Sequence, residues 1–295
     1  MIDLSSGFVA VDWGTTNRRA WGIDADGRVG HEMADDQGIL AVRDFPAAVA
    51  ALRSQFDDRP VLMAGMIGSN RGWREVPYVA APAGLAAIAA AVHFEHGVGI
   101  IPGVSFVDDG PLGRADVMRG EEVPLLGACA IAAVECDGLV CHPGTHTKWI
   151  EMEGGEIARF RTVMTGDLFA ALKAKSILSD LLAHDAPVDE AFLAGVDHGL
   201  ESNDLTAELF TVRARVVLGR FQAVHAASYI SGLLIGNDVR VGLGRMRADI
   251  VPVLGAPALT GRFAAALTRA GRQTIERDGD TAFIAGMKAI AGALG

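Results

Sequence analysis

Val11-Asp12-Trp13-Gly14-Thr15-Thr16-Asn17-Arg18 and Pro143-Gly144-Thr145-His146-Thr147-Lys148 are the two stretches on which the fold turns. Each follows a short apolar run, at 8–11 and 139–141, and leads into a second run at 19–23 or 148–152. A turn at 24–27 or 154–155 then precedes a third run, at 29–33 or 157–161. Short runs bounded by glycine, aspartate and threonine predict a three-stranded antiparallel meander in each place. Superposing the two sets Gly14 on Gly144, Thr15 on Thr145 and Arg18 on Lys148, an internal duplication offset by 130 residues, with His142 standing where the first copy has Asp12.

Working outward, spacing of apolar residues predicts helices at 45–56 and 84–92 and buried strands at 61–64 and 99–101. An apolar helix follows at 123–134, and after the second meander helices are predicted at 168–182, 188–200, 205–218 and 222–234. A strand at 250–254, a helix at 259–270, a strand at 273–276 and a last helix at 280–294, N-capped by Asp280, complete the chain. Strands and helices so mixed predict an α/β protein of two domains, each a mixed sheet flanked by helices. Gly110, Pro111 and Gly113 concentrate turn residues in 108–118, so the expected division is 1–115 and 116–295, with the final helix able to pack back on the first domain.

The 295 residues suffice for two cores, and half of them are hydrophobic. A formal charge of −10 argues against nucleic-acid binding, which depends on clustered Lys and Arg. Cys129, Cys136 and Cys141 form neither a CxxC pair nor a zinc spacing and fit a reduced, cytoplasmic chain. Residues 1–6 lack the pattern of a signal peptide. The apolar runs 80–92 and 124–134 fall short of the roughly 20 residues that span a bilayer, so no membrane association is expected. A homo-oligomer is compatible with these features.

A carboxylate closing a buried strand before a glycine turn, as at Asp12, suits a phosphate site: turn amides and the Thr15 and Thr16 hydroxyls donate, and the carboxylate holds Mg²⁺ through water. The second turn repeats the donors and adds Lys148. An ordinary hairpin accounts for either motif alone, but two of them favour a clamp on neighbouring phosphates. No GxxxxGK[ST] run occurs, Gly242-Leu243-Gly244 lacks the third glycine of a dinucleotide fingerprint, and His93-Phe94-Glu95-His96 reads as a helix-surface cluster. Met118-Arg119-Gly120-Glu121-Glu122 places two carboxylates before an apolar helix. Either they cap it, or Glu121 takes a hydroxyl proton while Arg119 binds an acidic substrate. Asp167, opening another helix, is the second candidate base. In 64–73, Ser69, Asn70, Arg71 and Trp73 follow a strand end and suit a polyhydroxy acid.

The segments VDWGTTNRRAW, AGMIGSNRGW, IIPG, VMRGEE, PGTHTKW, FRTVMTGD, SGLLIG and GDTAFIAG, in that order over almost the whole chain, resemble the 2-dehydro-3-deoxygalactonokinases. The resemblance implies the sugar-kinase, Hsp70 and actin superfamily, with two ribonuclease-H-like domains and ATP in the cleft between them. It further implies phosphate binding by Gly14, Thr15, Thr16 and Arg18 and by Gly144, Thr145, Thr147 and Lys148, and an adenosine region at Leu254-Gly255-Ala256 with Gly279. The implied reaction moves a phosphoryl group from Mg-ATP to the terminal hydroxyl of 2-dehydro-3-deoxy-D-galactonate; relatives can carry Glu where this chain has Asp167, so the resemblance leaves the base open between Glu121, ranked first on the residues, and Asp167. His142 replaces the acidic residue many superfamily members carry, so metal binding leans on Asp12. Two rival readings are a phosphohydrolase of the exopolyphosphatase kind, which shares the Gly-Glu-Glu cluster, and a non-catalytic nucleotide switch.

Overall fold

The computed structural model describes residues 3–108, 110, 113–244 and 248–295; Pro111 of the expected hinge lies outside them. The first meander is β1 (Gly7–Trp13), β2 (Arg18–Asp24) and β3 (Val29–Asp35). Helix α1 (Phe45–Ser54) starts where the Asp44 carboxylate accepts the Ala47 N–H at 3.0 Å, and β4 (Val61–Gly65) follows. Next come β5 (Val79–Ala80), α2 (Leu85–Ala90), β6 (His93–Glu95), β7 (Val98–Ile100), β8 (Val104–Val107), β9 (Ala115–Met118) and α3 (Glu122–Ala130).

The second meander is β10 (Gly138–His142), β11 (Thr147–Glu153) and β12 (Glu156–Val163). It leads into α4 (Thr165–Lys175), α5 (Glu190–Glu201), α6 (Leu205–Val217) and α7 (Ala226–Leu243). The chain ends with β13 (Ile250–Gly255), α8 (Pro257–Arg269), β14 (Gln273–Asp278) and α9 (Gly279–Leu294).

One sheet runs β3-β2-β1-β4-β7-β6 and another β12-β11-β10-β13-β14, so the duplication extends from the meanders to the order of the strands beside them. In the first sheet β4 runs parallel to β1 and to β7; in the second β13 runs parallel to β10 and to β14. A small third sheet has the order β5-β8-β9.

Two compact units result: Met1–Asp137 with Met152–Phe160 and Gly279–Gly295, and Gly138–Glu151 with Arg161–Asp278. The division therefore falls after Asp137 rather than at 115/116. The strands flanking the expected hinge belong together rather than to two units: β8 and β9 pair antiparallel, and the Asp108 N–H donates to the Arg114 carbonyl at 2.8 Å. Helix α3 stays in the first unit because it packs on α9 at backbone contact. A Cβ on Gly127 would lie 2.0 Å from the Ala282 oxygen, and one on Gly286 would lie 2.0 Å from the Val123 oxygen. In the second unit α5 and α7 meet in the same way through Gly195 and Gly232.

Three further expectations change. Residues 93–95 are a strand, paired antiparallel with β7, not a helix surface. The helix predicted to reach 182 ends at Lys175, where the Ser176 hydroxyl turns back to the Leu172 carbonyl at 2.6 Å. Asp280 lies in the first turn of α9 rather than at its cap, and it pairs with Arg19.

Candidate functional site

The register of the first hairpin sets Asp12 opposite Arg19 and Trp13 opposite Arg18. Opposed residues share a face of the sheet and successive ones alternate. Trp13 joins the core of Val9, Val11 and Ala20, and Arg18 lies over its ring at 4.8 Å. There Arg18 grips Asp35 with Nη2 to Oδ2 at 2.6 Å and Nε to Oδ1 at 3.2 Å. Arg18 is buried and held by Asp35, and both residues line the cavity at the turn. On the opposite face Arg19, half-exposed, donates from Nη2 to Asp12 Oδ2 at 2.6 Å, pairs with Asp280 and lies against the Trp21 ring.

The turn itself is held from behind. Residues 38–40 donate their backbone N–H groups to the carbonyls of Thr16, Gly14 and Thr15 at 3.0–3.2 Å. With those carbonyls occupied, the exposed Thr15 and Thr16 hydroxyls are left as the turn's polar face. A cavity of about 570 Å³ opens there, lined by Asp12, Gly14, Thr15, Thr16 and Arg19 among others. Gly38 is required for this packing, since a Cβ would fall 2.3 Å from the Thr16 carbonyl carbon.

Glu121 belongs to the same neighbourhood. Gly65 (φ +92°) ends β4 so close to β1 that a Cβ would lie 2.8 Å from the Trp13 oxygen and 3.4 Å from Asp12 Oδ1. Gly120 (φ +111°) stacks on it, its own Cβ position being 3.3 Å from the Gly65 Cα. Left-handed backbone of this kind favours glycine, and here it brings the Glu-Glu pair beside the Asp12 strand. Glu121 is half-buried and its Oε2 accepts the Arg119 N–H at 3.0 Å. Glu122 is wholly buried, Oε2 accepts the Gly120 N–H at 2.7 Å, and Oε1 is enclosed without a partner.

Burial, reinforced by the Glu121 charge, pushes the Glu122 carboxyl up to about 8. The neutral, protonated carboxyl is therefore the favoured form of Glu122 in its closed surroundings. Because its folded value lies above the unfolded one, its contribution to stability is complete below the unfolded pKa of 4.5 and is lost as pH rises through about 8. Within that window stability should fall by up to about 1.4 kcal/mol per pH unit. Urea midpoints of the native chain should accordingly drop between pH 5.5 and 8 more than those of Glu122→Gln. Parallel curves would remove Glu122 as the cause.

The loop after β4 opens with a 3-10 turn, Met66–Gly68. The Ser69 hydroxyl donates to the Met66 carbonyl at 2.7 Å and accepts the Arg71 N–H at 3.2 Å, which locks the turn. Trp73 packs partly on the core, whereas Asn70 and Arg71 are exposed. Arg119 lies behind the loop. It is buried, its Nη2 donates to the Val76 carbonyl at 2.7 Å, its plane covers the Tyr78 ring at 4.2 Å, and its Nε and Nη1 are enclosed. Of the residues expected to bind an acid, Ser69 and Arg119 are buried and Trp73 partly so, while Asn70 and Arg71 are exposed.

In the second unit, Gly144 and Thr145 form the hairpin tip, while Thr147 and Lys148 are buried and Lys148 Nζ donates to the His146 carbonyl at 3.3 Å. The start of α4 seats on the tip. A Cβ on Gly166 would lie 2.8 Å from the Gly144 oxygen, the Asp167 N–H donates to the Thr145 carbonyl at 2.9 Å, and Asp167 Oδ2 is 3.8 Å from His146 Nε2. His142 Nδ1 meets the Leu254 carbonyl at 2.5 Å, and Gly255 adjoins Pro143. An apolar pocket of about 220 Å³ continues from the tip, with Gly144, Phe169, Leu234, Ile235, Leu259 and Arg262 in its wall. Gly279 is not in that wall; it starts α9 in the first unit.

Arg19, Gly38 and the helical pocket residues escaped the sequence reading. For Arg19 the signal was strand parity, since a four-residue turn after Trp13 pairs residue 18 with 13 and 19 with 12. No cluster of three or more His, Cys, Asp or Glu able to hold a metal occurs among the described residues, and none of their helices is long and apolar enough to cross a membrane.

Residues 12–290 match the model of the family described as 2-keto-3-deoxy-galactonokinase. The chain is 35% identical over 302 residues to the 2-dehydro-3-deoxygalactonokinase of Escherichia coli K12, with 99% of each covered. It is also similar to a crystal structure from Sinorhizobium meliloti that carries the same activity name as a provisional assignment, with a TM-score of 0.90 at 33% identity, covering 97% of this chain and 99% of that one. The (R)-2-hydroxyglutaryl-CoA dehydratase component A of Acidaminococcus fermentans shares the fold alone, with a TM-score of 0.51 at 13% identity over 98% and 97% of the two chains.

Proposed function

The chain belongs to the 2-keto-3-deoxy-galactonokinase family, and from that membership we propose how its residues divide the work. It is a carbohydrate kinase of the actin-like ATPase fold that phosphorylates 2-dehydro-3-deoxygalactonate with ATP. The phosphoryl group goes to the terminal 6-hydroxyl, the acid's primary alcohol and its least hindered nucleophile.

Phosphoryl transfer asks the protein chiefly for positioning and electrostatics. Gly14, Thr15 and Thr16 offer donors to phosphate oxygens, and Arg18 and Arg19, which line the same cavity, supply positive charge beside them. Gly144 and Thr145 bind the nucleotide's phosphates, and the adjoining apolar pocket takes its base and ribose. Asn70 and Arg71 meet the sugar acid's hydroxyls and carboxylate, and Glu121 takes the proton of the attacking hydroxyl.

The donor set fits Mg²⁺ arriving with its nucleotide. This ion keeps several waters and needs only one or two carboxylates besides phosphates, and Asp12 is one such carboxylate with Oδ2 already held by Arg19. Bound there, Mg²⁺ would neutralise charge on the phosphate oxygens. A reducing, cytoplasmic setting suits the three free thiols.

The observation that carries the nucleotide assignment is the shared wall: Gly144 belongs both to the second hairpin tip and to the apolar pocket. The test is a coupled ADP assay with 2-dehydro-3-deoxy-D-galactonate and its gluconate epimer, with the phosphorylated carbon located by NMR. Acid-dependent ADP release and a C6 phosphate are expected. Steady ATP hydrolysis indifferent to the acid would favour a phosphohydrolase instead.

A further inference from the structure

Asp238 is wholly buried on α7, in the second unit, and neither the hairpin motifs nor the pocket wall includes it. Its Oδ1 accepts Trp149 Nε1–H at 2.7 Å and its Oδ2 accepts the Thr165 hydroxyl at 2.5 Å. Thr147, on the same face of β11 as Trp149, adds a weaker attraction to the carboxylate. Burial pushes the Asp238 carboxyl up to about 6, against the pull of these donors. An acid placed where desolvation penalises its charge needs compensation, and here the compensation comes from neutral donors on two other elements.

Those elements frame the nucleotide site. Thr147 and Trp149 lie on the strand that leaves the second hairpin, and Trp149 lies flat on α7, where a Cβ on Gly242 would fall 2.0 Å from the indole. Thr165 begins α4, whose next two residues hold the hairpin tip through Gly144 and Thr145. Helix α7 itself contributes Ser231, Leu234 and Ile235 to the pocket, one to two turns before Asp238. Two oxygens of one residue therefore tie together the outgoing strand, the helix seated on the tip and the helix that walls the pocket.

We propose that Asp238 is the positioning residue of the nucleotide site, setting ATP affinity by fixing the 143–148 hairpin against the pocket through Trp149 and Thr165. The inference rests on the reading of that hairpin as the nucleotide's. It requires no contact between Asp238 and ATP.

The test is a set of variants assayed for ATP affinity by calorimetry and for KM of the sugar acid at saturating ATP. Asp238→Asn and Trp149→Phe, which removes the indole N–H, should each weaken ATP binding by about tenfold, the scale of one lost hydrogen bond, with the acid's KM changed less than about twofold. Asp238→Asn combined with Trp149→Phe should be scarcely worse than the weaker-binding single variant, because both break one network. Unchanged ATP affinity in either variant, or losses that add in the pair, overturns the proposal. If Asp238→Asn does not fold, Trp149→Phe decides alone, since Trp149 is outside the pocket wall. Failure of the native chain to bind ATP would instead sink the reading of the hairpin and this inference with it.

Discussion

Glu121→Gln should lower the chemical step by roughly 10²-fold or more while ATP affinity stays near that of the native enzyme, the scale expected for losing a general base. The expectation comes from placement. Gly120 and Gly65 bring the residue against the strand that carries Asp12, and the loop holding Asn70 and Arg71 leaves the end of that same β4. Glutamine preserves the bond from the Arg119 N–H and the volume, so the turn should survive and only proton acceptance is lost. Asp167 stands in a different setting: its N–H secures Thr145 and its carboxylate faces His146. Asp167→Asn should therefore act chiefly on the KM for ATP. Rapid-quench measurement of the first turnover separates the two. A near-native burst rate in Glu121→Gln together with a hundredfold loss in Asp167→Asn would hand the base role to Asp167.

The contrast between these two carboxylates shows where sequence reading reaches its limit. Both open helices and both follow a glycine, so one-dimensional pattern ranks them poorly; what separates them is which backbone each turn rests on. The meanders were legible because alternation and turn chemistry are local, and the repeated strand order followed from them. The division of the chain was not, because turn-forming residues do not by themselves mark a domain boundary, and only the close approach of α3 to α9 shows that residues beyond 118 stay in the first unit. The nucleotide pocket was hidden for another reason. Phe169, Leu234, Ile235 and Leu259 come from three helices, and each has the spacing of an ordinary core residue until the helices are assembled. Glu122 was hidden by its chemistry, since a carboxyl that keeps its proton reads in sequence like one that does not.

Asp12→Ala should leave the fold intact and reduce turnover by about 10²-fold or more, on the scale of losing one electrostatic contact to the transferring group. The loss should be greatest when Mg²⁺ is limiting. Two roles converge on this residue: it is the carboxylate available to the ion, and it orients Arg19 toward the turn of Thr15 and Thr16. Because Arg19 retains Asp280 when Asp12 is removed, and because its head is half-exposed, the unfolding midpoint should barely change. Arg19→Met separates the roles, since it removes the cation but leaves the carboxylate. It should raise the KM for ATP while the Mg²⁺ concentration giving half-maximal rate stays put, whereas Asp12→Ala should move that concentration upward. Mg²⁺ titrations at fixed ATP read both effects. Coincident titration curves for Asp12→Ala and the native enzyme would mean that Asp12 serves only to hold Arg19, and the ion would have to be sought on other oxygen ligands.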